Sequence, residues 1–189
     1  MKWLTGRGWA AAAAVGAATI WGFGWRGVTL LLAFFISASA LSRKKTTRNA
    51  RQVIANGGVA ALAALSGSWT WFAGALATAN ADTWATEIGG RSPTEPRLIT
   101  TWRRVPAGTD GGMTLVGTLG GFAGAAFIAG VSYLVGNRAL MTLTAAGGFG
   151  MLLDSLLGAT LQGKVRWLDN DAVNLAATLG GAVCAGLLA

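Results

Sequence analysis

The 189-residue chain is predicted to be all-α: a single polytopic transmembrane helix bundle over residues 1–189, with about seven spans (six as the alternative) and the N-terminus inside. Three observations predict this. Hydrophobic residues make up 53% of the chain and charged ones only 12%, too few to clothe a soluble domain of this size. The 29 glycines fit close helix packing in lipid, where small residues let backbones approach. The cations are also distributed unevenly among the loops. Helix is the expected spanning element because lipid offers no partner for an open strand edge.

The apolar segments run Gly8–Gly24, Gly27–Ser42, Gln52–Gly67, Trp69–Gly89, Gly112–Val135, Ala139–Gln162 and Asp171–Ala189. The second and third are short for a hydrocarbon core that takes about 20 residues. The turn at Ser66–Trp69 is very short, which is where the count is weakest. No cleavable signal peptide is expected, because the first apolar run leads into more membrane. With the N-terminus inside, thirteen of the fifteen lysines and arginines fall on the inner side, leaving Arg26 and Arg138 outside. This asymmetry orients the bundle, and it assigns the net charge of +8 to membrane topology rather than to nucleic acid. The expected location is the inner membrane, if the cell is bacterial. Gly117/Gly121 and Gly120/Gly124 are GxxxG pairs, expected to pack within the chain, with a homo-oligomer face as the alternative.

Function is signalled by acids in apolar surroundings. Asp82 and Glu87 lie in WTWFAGALATANADTWATEIG, and Asp154 lies in Ala139–Gln162. A charge at the centre of a membrane helix costs about 2.5–3.5 kcal/mol on insertion scales, so such residues usually bind an ion, a proton or a substrate. Structural pairing with inner-loop arginines is the competing reading. Asn80, Thr83 and Glu87 share one helix face, and Asp82 with Thr86 a neighbouring one. The chain has no His, and its single Cys184 lies in the last apolar segment. Hard oxygen donors therefore point to Mg2+ rather than zinc. Asp82, Glu87 and Asp154 are the expected catalytic and metal-binding residues. Asn56, Asn80 and Asn174 are polar groups on the same inner side.

The loop RLITTWRRVPAGTDGG, Arg97–Gly112, adds Arg103 and Arg104 as fork-shaped hydrogen-bond donors suited to phosphate. It also frees the backbone at Gly111 and Gly112 just before a helix begins, an arrangement that suits an anion. A capped helix start is the plainer alternative. Arg43 and Lys44 open a cationic run that suits phosphate or anionic lipid. Two motif matches fail on context. Gly22–Gly27 fits GxGxxG but joins two apolar segments, and Gly158–Val165 approaches a P-loop with Val in place of the metal-binding hydroxyl.

The segments SASALSR, NARQVIANGG, NADTWATEIG, PRLITTWRRVPAGTDGG, DSLLGATLQ and NDAVN resemble the integral-membrane family of the plant phytyl-phosphate kinases, the domain of unknown function 92 type. The resemblance covers nearly the whole chain, although Asp110 stands where Asn is expected. It implies phosphoryl transfer from CTP or another nucleoside triphosphate to a prenyl monophosphate in membrane lipid. In that assignment Asp82, Asp154 and Glu87 hold Mg2+. Arg97, Arg103, Arg104, Arg43 and Lys44 neutralise phosphate, and Asn56, Asn80 and Asn174 orient oxygens or waters. A CDP-lipid-forming cytidylyltransferase, a proton- or cation-coupled transporter and a non-catalytic scaffold are the alternatives.

Overall fold

A computed structural model describes residues 4–42 and 47–189. In chain order the elements are α1 (Gly6–Leu41), α2 (Ala50–Leu65), α3 (Trp69–Gly89), β1 (Arg97–Leu98), β2 (Gly112–Met113), α4 (Leu115–Leu134), α5 (Leu140–Thr160) and α6 (Asn170–Leu188). The expected all-α bundle is present. Among the described residues there are six helical elements where seven spans were expected, because Gly8–Gly24 and Gly27–Ser42 fall in one element, α1, whose two limbs meet at a break at Gly24. Four of the helices, α1, α4, α5 and α6, are long and apolar enough to cross a membrane by length and composition. The 16-residue α2 is shorter than a full span requires.

Gly24 has φ 55° and ψ −140°, a conformation open to glycine because it has no Cβ. The chain doubles back there. A Cβ on Gly27 would lie 2.8 Å from Thr19 Cγ2, a contact impossible between residues eight apart in a straight helix. The first limb of α1 follows α2: Gly8 sits by the Arg48 carbonyl, Val15 against Gly57 and Gly22 by Ala64. The second limb returns, so that Ser37 donates to Asn80 Oδ1 at 2.9 Å and the Leu41 carbonyl accepts from Arg91 at 2.6 Å.

Side-chain caps begin four of the helices. Thr5 accepts from Gly8 N–H, Asn49 and Gln52 form a reciprocal capping box, Thr114 accepts from Gly117 N–H, and Asp169 accepts from Ala172 N–H. At Asp169 the Ala172 amide most of all, and the guanidinium of Arg51 at 2.7 Å, hold the carboxyl below its ordinary pKa.

The centre of the bundle is α3. Every residue from Phe72 to Ala81 is buried, and the helix touches each of the other five. A helix enclosed on all sides must be lined by small residues, and in α3 alanine takes every second position from Ala73 to Ala81. The glycine stripe of α4 faces it: Gly117 meets Ala85, Gly120 meets Ile88, Gly121 meets Ala81 and Gly124 meets Trp84. The GxxxG pairs therefore pack within the chain.

The loops sort to two ends. Phe23, Trp69 and Ser132 cluster at one end, where Trp69 Nε1 donates to Ser132 Oγ at 2.9 Å. The opposite end carries the start of α2, the end of α3, the β1–β2 loop and the start of α6. Among the described cations only Arg26 and Arg138 lie away from that end.

Candidate active site

A cavity of about 1170 Å³ opens at the loop-rich end. Its lining changes character along its length. The polar part takes Arg48, Gln52 and Asn56 from the start of α2, Asp82, Thr86 and Glu87 from α3, Asp110 from the loop, Asp154 from α5 and Asn174 from α6. The apolar part runs between the two limbs of α1, past Val15, Ile20, Val28, Leu31 and Phe35. One continuous space thus joins a charged mouth to a hydrocarbon-lined arm.

Asp82 and Asp154 are brought together as expected. Asp154 lies within electrostatic range of Asp82 and also of Asp110. Asn174, with its amide turned to satisfy both neighbours, donates to Asp154 Oδ2 at 2.9 Å and to the Asn170 carbonyl at 3.2 Å. No described arginine or lysine forms a salt bridge with Asp82 or Asp154; the described ion pairs join Arg51 to Asp169 and Asp171, and Arg104 to Glu95.

Glu87 departs from the expected trio. It lines the cavity, but its charge acts on Arg48, and among the described residues no three acidic or Cys side chains close into one metal-binding group. The reason is helical geometry: Glu87 lies five positions after Asp82, about 140° around the axis at 3.6 residues per turn. The remaining donor set still fits magnesium. That ion is commonly held through one or two carboxylates, keeping several waters and using substrate phosphates for the rest. Asp82 and Asp154 supply two hard carboxylates without a cationic partner among the described residues, and Asp110 stands nearby.

The arginines expected to neutralise phosphate are placed differently. Arg97, in β1, donates to the Trp102 carbonyl at 2.9 Å, Arg104 pairs with Glu95 at 3.6 Å, and Arg103 is exposed; none lines the cavity. The antiparallel pairing of Arg97 with Met113 and Leu98 with Gly112, with Trp102 at φ 57°, folds these side chains outside it. Asn80 does not face the cavity either. It is fully enclosed, accepting from Ser37 and donating to the Gly124 carbonyl at 2.9 Å, which gives it a packing role. Asn56 lines the cavity while donating to the Gln52 carbonyl. Arg43 and Lys44 lie outside the described residues.

Gly111 and Gly112 do line the cavity, yet both have structural duties. The Gly112 amide already donates to the Thr109 carbonyl, and Thr114 caps α4. Gly111 has φ 73°, and a Cβ there would lie 2.5 Å from the Ser155 carbonyl. It is glycine so that the loop can press against α5 one turn from Asp154.

Arg48 was not singled out by sequence reasoning. It is half-buried, and among the described residues it is the basic side chain that lines the cavity. Burial pushes its guanidinium pKa down from the ordinary value, and the charge of Glu87 partly offsets this. The signal that could have found it is its place immediately before the Asn49–Gln52 capping box, which fixes it at a helix start.

Comparison with known proteins agrees with this architecture. The family model described as Integral membrane protein DUF92 matches residues 1–182. The chain belongs to this integral membrane family. An uncharacterised membrane protein of Methanocaldococcus jannaschii is 38% identical over 87% of this chain and 77% of its own length. An uncharacterised membrane protein of Synechocystis is 32% identical over 98% of this chain and 81% of its own. The chloroplastic protein VTE6 of Arabidopsis thaliana is 29% identical over 98% of this chain, which covers 65% of that protein. No solved structure matches the chain.

Proposed function

We propose that this protein is a membrane-embedded prenyl-phosphate kinase. It transfers the terminal phosphoryl group of CTP or another nucleoside triphosphate to an isoprenoid monophosphate, at the cytosolic face of the membrane. The observation that carries the reading is that one continuous cavity joins an acid-rich mouth to an apolar arm between the limbs of α1. An acceptor with an ionic head and a hydrocarbon tail matches both parts at once, and a soluble nucleotide can reach only the mouth. The resemblance to the plant phytyl-phosphate kinases and the likeness to a chloroplastic relative support the same direction.

The chemistry asks for little beyond positioning and neutralisation of charge. An acceptor phosphate oxygen forms the new bond to the terminal phosphorus as the bond to the nucleoside diphosphate breaks. A phosphate monoester is largely ionised at neutral pH, so no strong general base is required, which agrees with a chain that has no His. Asp82 and Asp154 are the residues that would hold magnesium, with Asp110 beside them. When bound, the ion would neutralise the donor's phosphates. Asn174 fixes the orientation of Asp154 through its amide.

The test is product analysis with purified protein, prenyl monophosphates and labelled CTP. A lipid diphosphate with CDP is expected. A CDP-lipid with pyrophosphate would replace the proposal with a cytidylyltransferase, and proton-coupled uptake without turnover would replace it with a transporter.

A further inference from the structure

We propose that Arg48 anchors the phosphate of the amphiphilic acceptor at the foot of the apolar arm, apart from the Asp82–Asp154 pair. The inference rests on the acceptor being a lipid phosphate, as in the function proposed above. Three observations converge on it. Arg48 is the basic residue that the described cavity wall offers, and the three arginines of the β1–β2 loop lie outside that wall. Its backbone is fixed on both sides: Leu4 pairs with it in a bridge, Thr5 N–H donates to its carbonyl at 3.0 Å, and Asn49 caps α2 directly after it. It also stands level with the start of the apolar arm, because a Cβ on Gly8 would lie 2.7 Å from the Arg48 carbonyl, and Trp9 and Val15 of the same limb line the cavity.

The charges divide the mouth into two parts. Asp82, Asp110 and Asp154 gather where α3, the loop and α5 meet, and that part repels a bare anion. Arg48 lies within electrostatic range of Glu87 rather than of those three acids. A guanidinium presents paired donors that match phosphate oxygens, and its planar fork is preorganised, so less freedom is lost per hydrogen bond formed. A lipid phosphate seated here has its head at Arg48 and its tail along α1, with the acids left for the metal and the donor.

The experiment compares binding of farnesyl monophosphate and farnesol, two probes with one tail, to purified wild type, Arg48→Gln and Arg48→Lys. Wild type is expected to prefer the monophosphate. Arg48→Gln should lose roughly tenfold to a hundredfold in affinity for the monophosphate, the range for a charged hydrogen bond, and bind farnesol unchanged. Arg48→Lys keeps the charge but not the fork, and should fall between the two. A wild type without preference, or an Arg48→Gln protein that keeps it, overturns the proposal. Should Arg48→Gln fail to fold, an Arg48→Lys protein with the full wild-type preference overturns it as well. Turnover with CTP on the same samples separates the two readings: phosphate preference lost at Arg48→Gln without kinase turnover in wild type keeps the anchor and removes the kinase.

Discussion

Asparagine in place of Asp82 and of Asp154, one at a time, separates a metal site from a structural ion pair. Each change keeps the side-chain shape and removes a charge from an apolar helix. A charge at the bilayer centre costs about 2.5–3.5 kcal/mol. Both acids face a cavity near one end of the bundle, so only part of that cost applies, on the order of 1 kcal/mol. The two sites differ in one respect. No hydrogen bond from a described residue engages the Asp82 carboxylate, whereas Asn174 donates to Asp154 at 2.9 Å. A hydrogen bond to a charged group contributes about 1.5–3 kcal/mol and a neutral one about 0.5–1.5 kcal/mol, so weakening this bond offsets the gain at Asp154. Asp82→Asn should therefore raise the melting temperature by about 2–4 °C, and Asp154→Asn should leave it nearly unchanged.

Turnover should respond in the opposite sense. Two carboxylates are the core of the proposed magnesium site, and removing either should abolish magnesium-dependent formation of lipid diphosphate. Both quantities are measured on one detergent-purified sample of each variant, with and without magnesium. If the acids were partners of a buried cation, removal would instead lower stability by about 3–5 kcal/mol, and the variants would unfold or fail to insert. That outcome refutes the metal assignment, as do stable variants with full magnesium-dependent turnover.

Two further predictions follow from the packing and the charge pattern. In a Cys184→Ser background, cysteines at Arg97 and Lys164 should react with impermeant reagents only from the cytosolic side, and a cysteine at Arg138 only from outside; the reverse pattern would move the mouth of the cavity away from cytosolic nucleotide. Gly147→Val should lower stability by about 1–3 kcal/mol in thermal unfolding, because a Cβ would lie 2.8 Å from Ala125 Cβ and 3.0 Å from the Ala77 backbone, with no flexible side chain to yield; unchanged melting would show that α3 and α5 are packed more loosely than described.

Local signals in the sequence located much of this structure. The segment Trp69–Gly89 is α3 with the same bounds, since a short turn precedes it and paired glycines follow. The capping residues that open α1, α2, α4 and α6 are of the types that cap helices wherever they occur. What escaped was the sorting of chemically similar residues. Arg97, Arg103 and Arg104 resemble Arg48 in sequence, and the pairing of β1 with β2 across a loop decides which of them face the cavity. Asn80 shares a helix face with Glu87, yet one ends in the core and the other at the cavity. The difference comes from α4, whose Gly124 brings a backbone carbonyl onto Asn80, a contact between residues 44 apart in the chain.

The convergence of Asp82 and Asp154 has its physical cause in the apolar half of the bundle. Gly147 of α5 lies against Ala77 of α3, and Gly150 lies against Thr78. The two helices run in the same direction, and their glycine contacts keep them close. Continuing along both helices by about one turn from the Gly150 contact brings Asp154 alongside Asp82, where each carboxylate acts on the other. Small residues that read only as membrane packing thus set the register of the charged residues. For that reason Gly147→Val should reduce magnesium-dependent turnover as well as stability, although Gly147 itself lies outside the cavity wall.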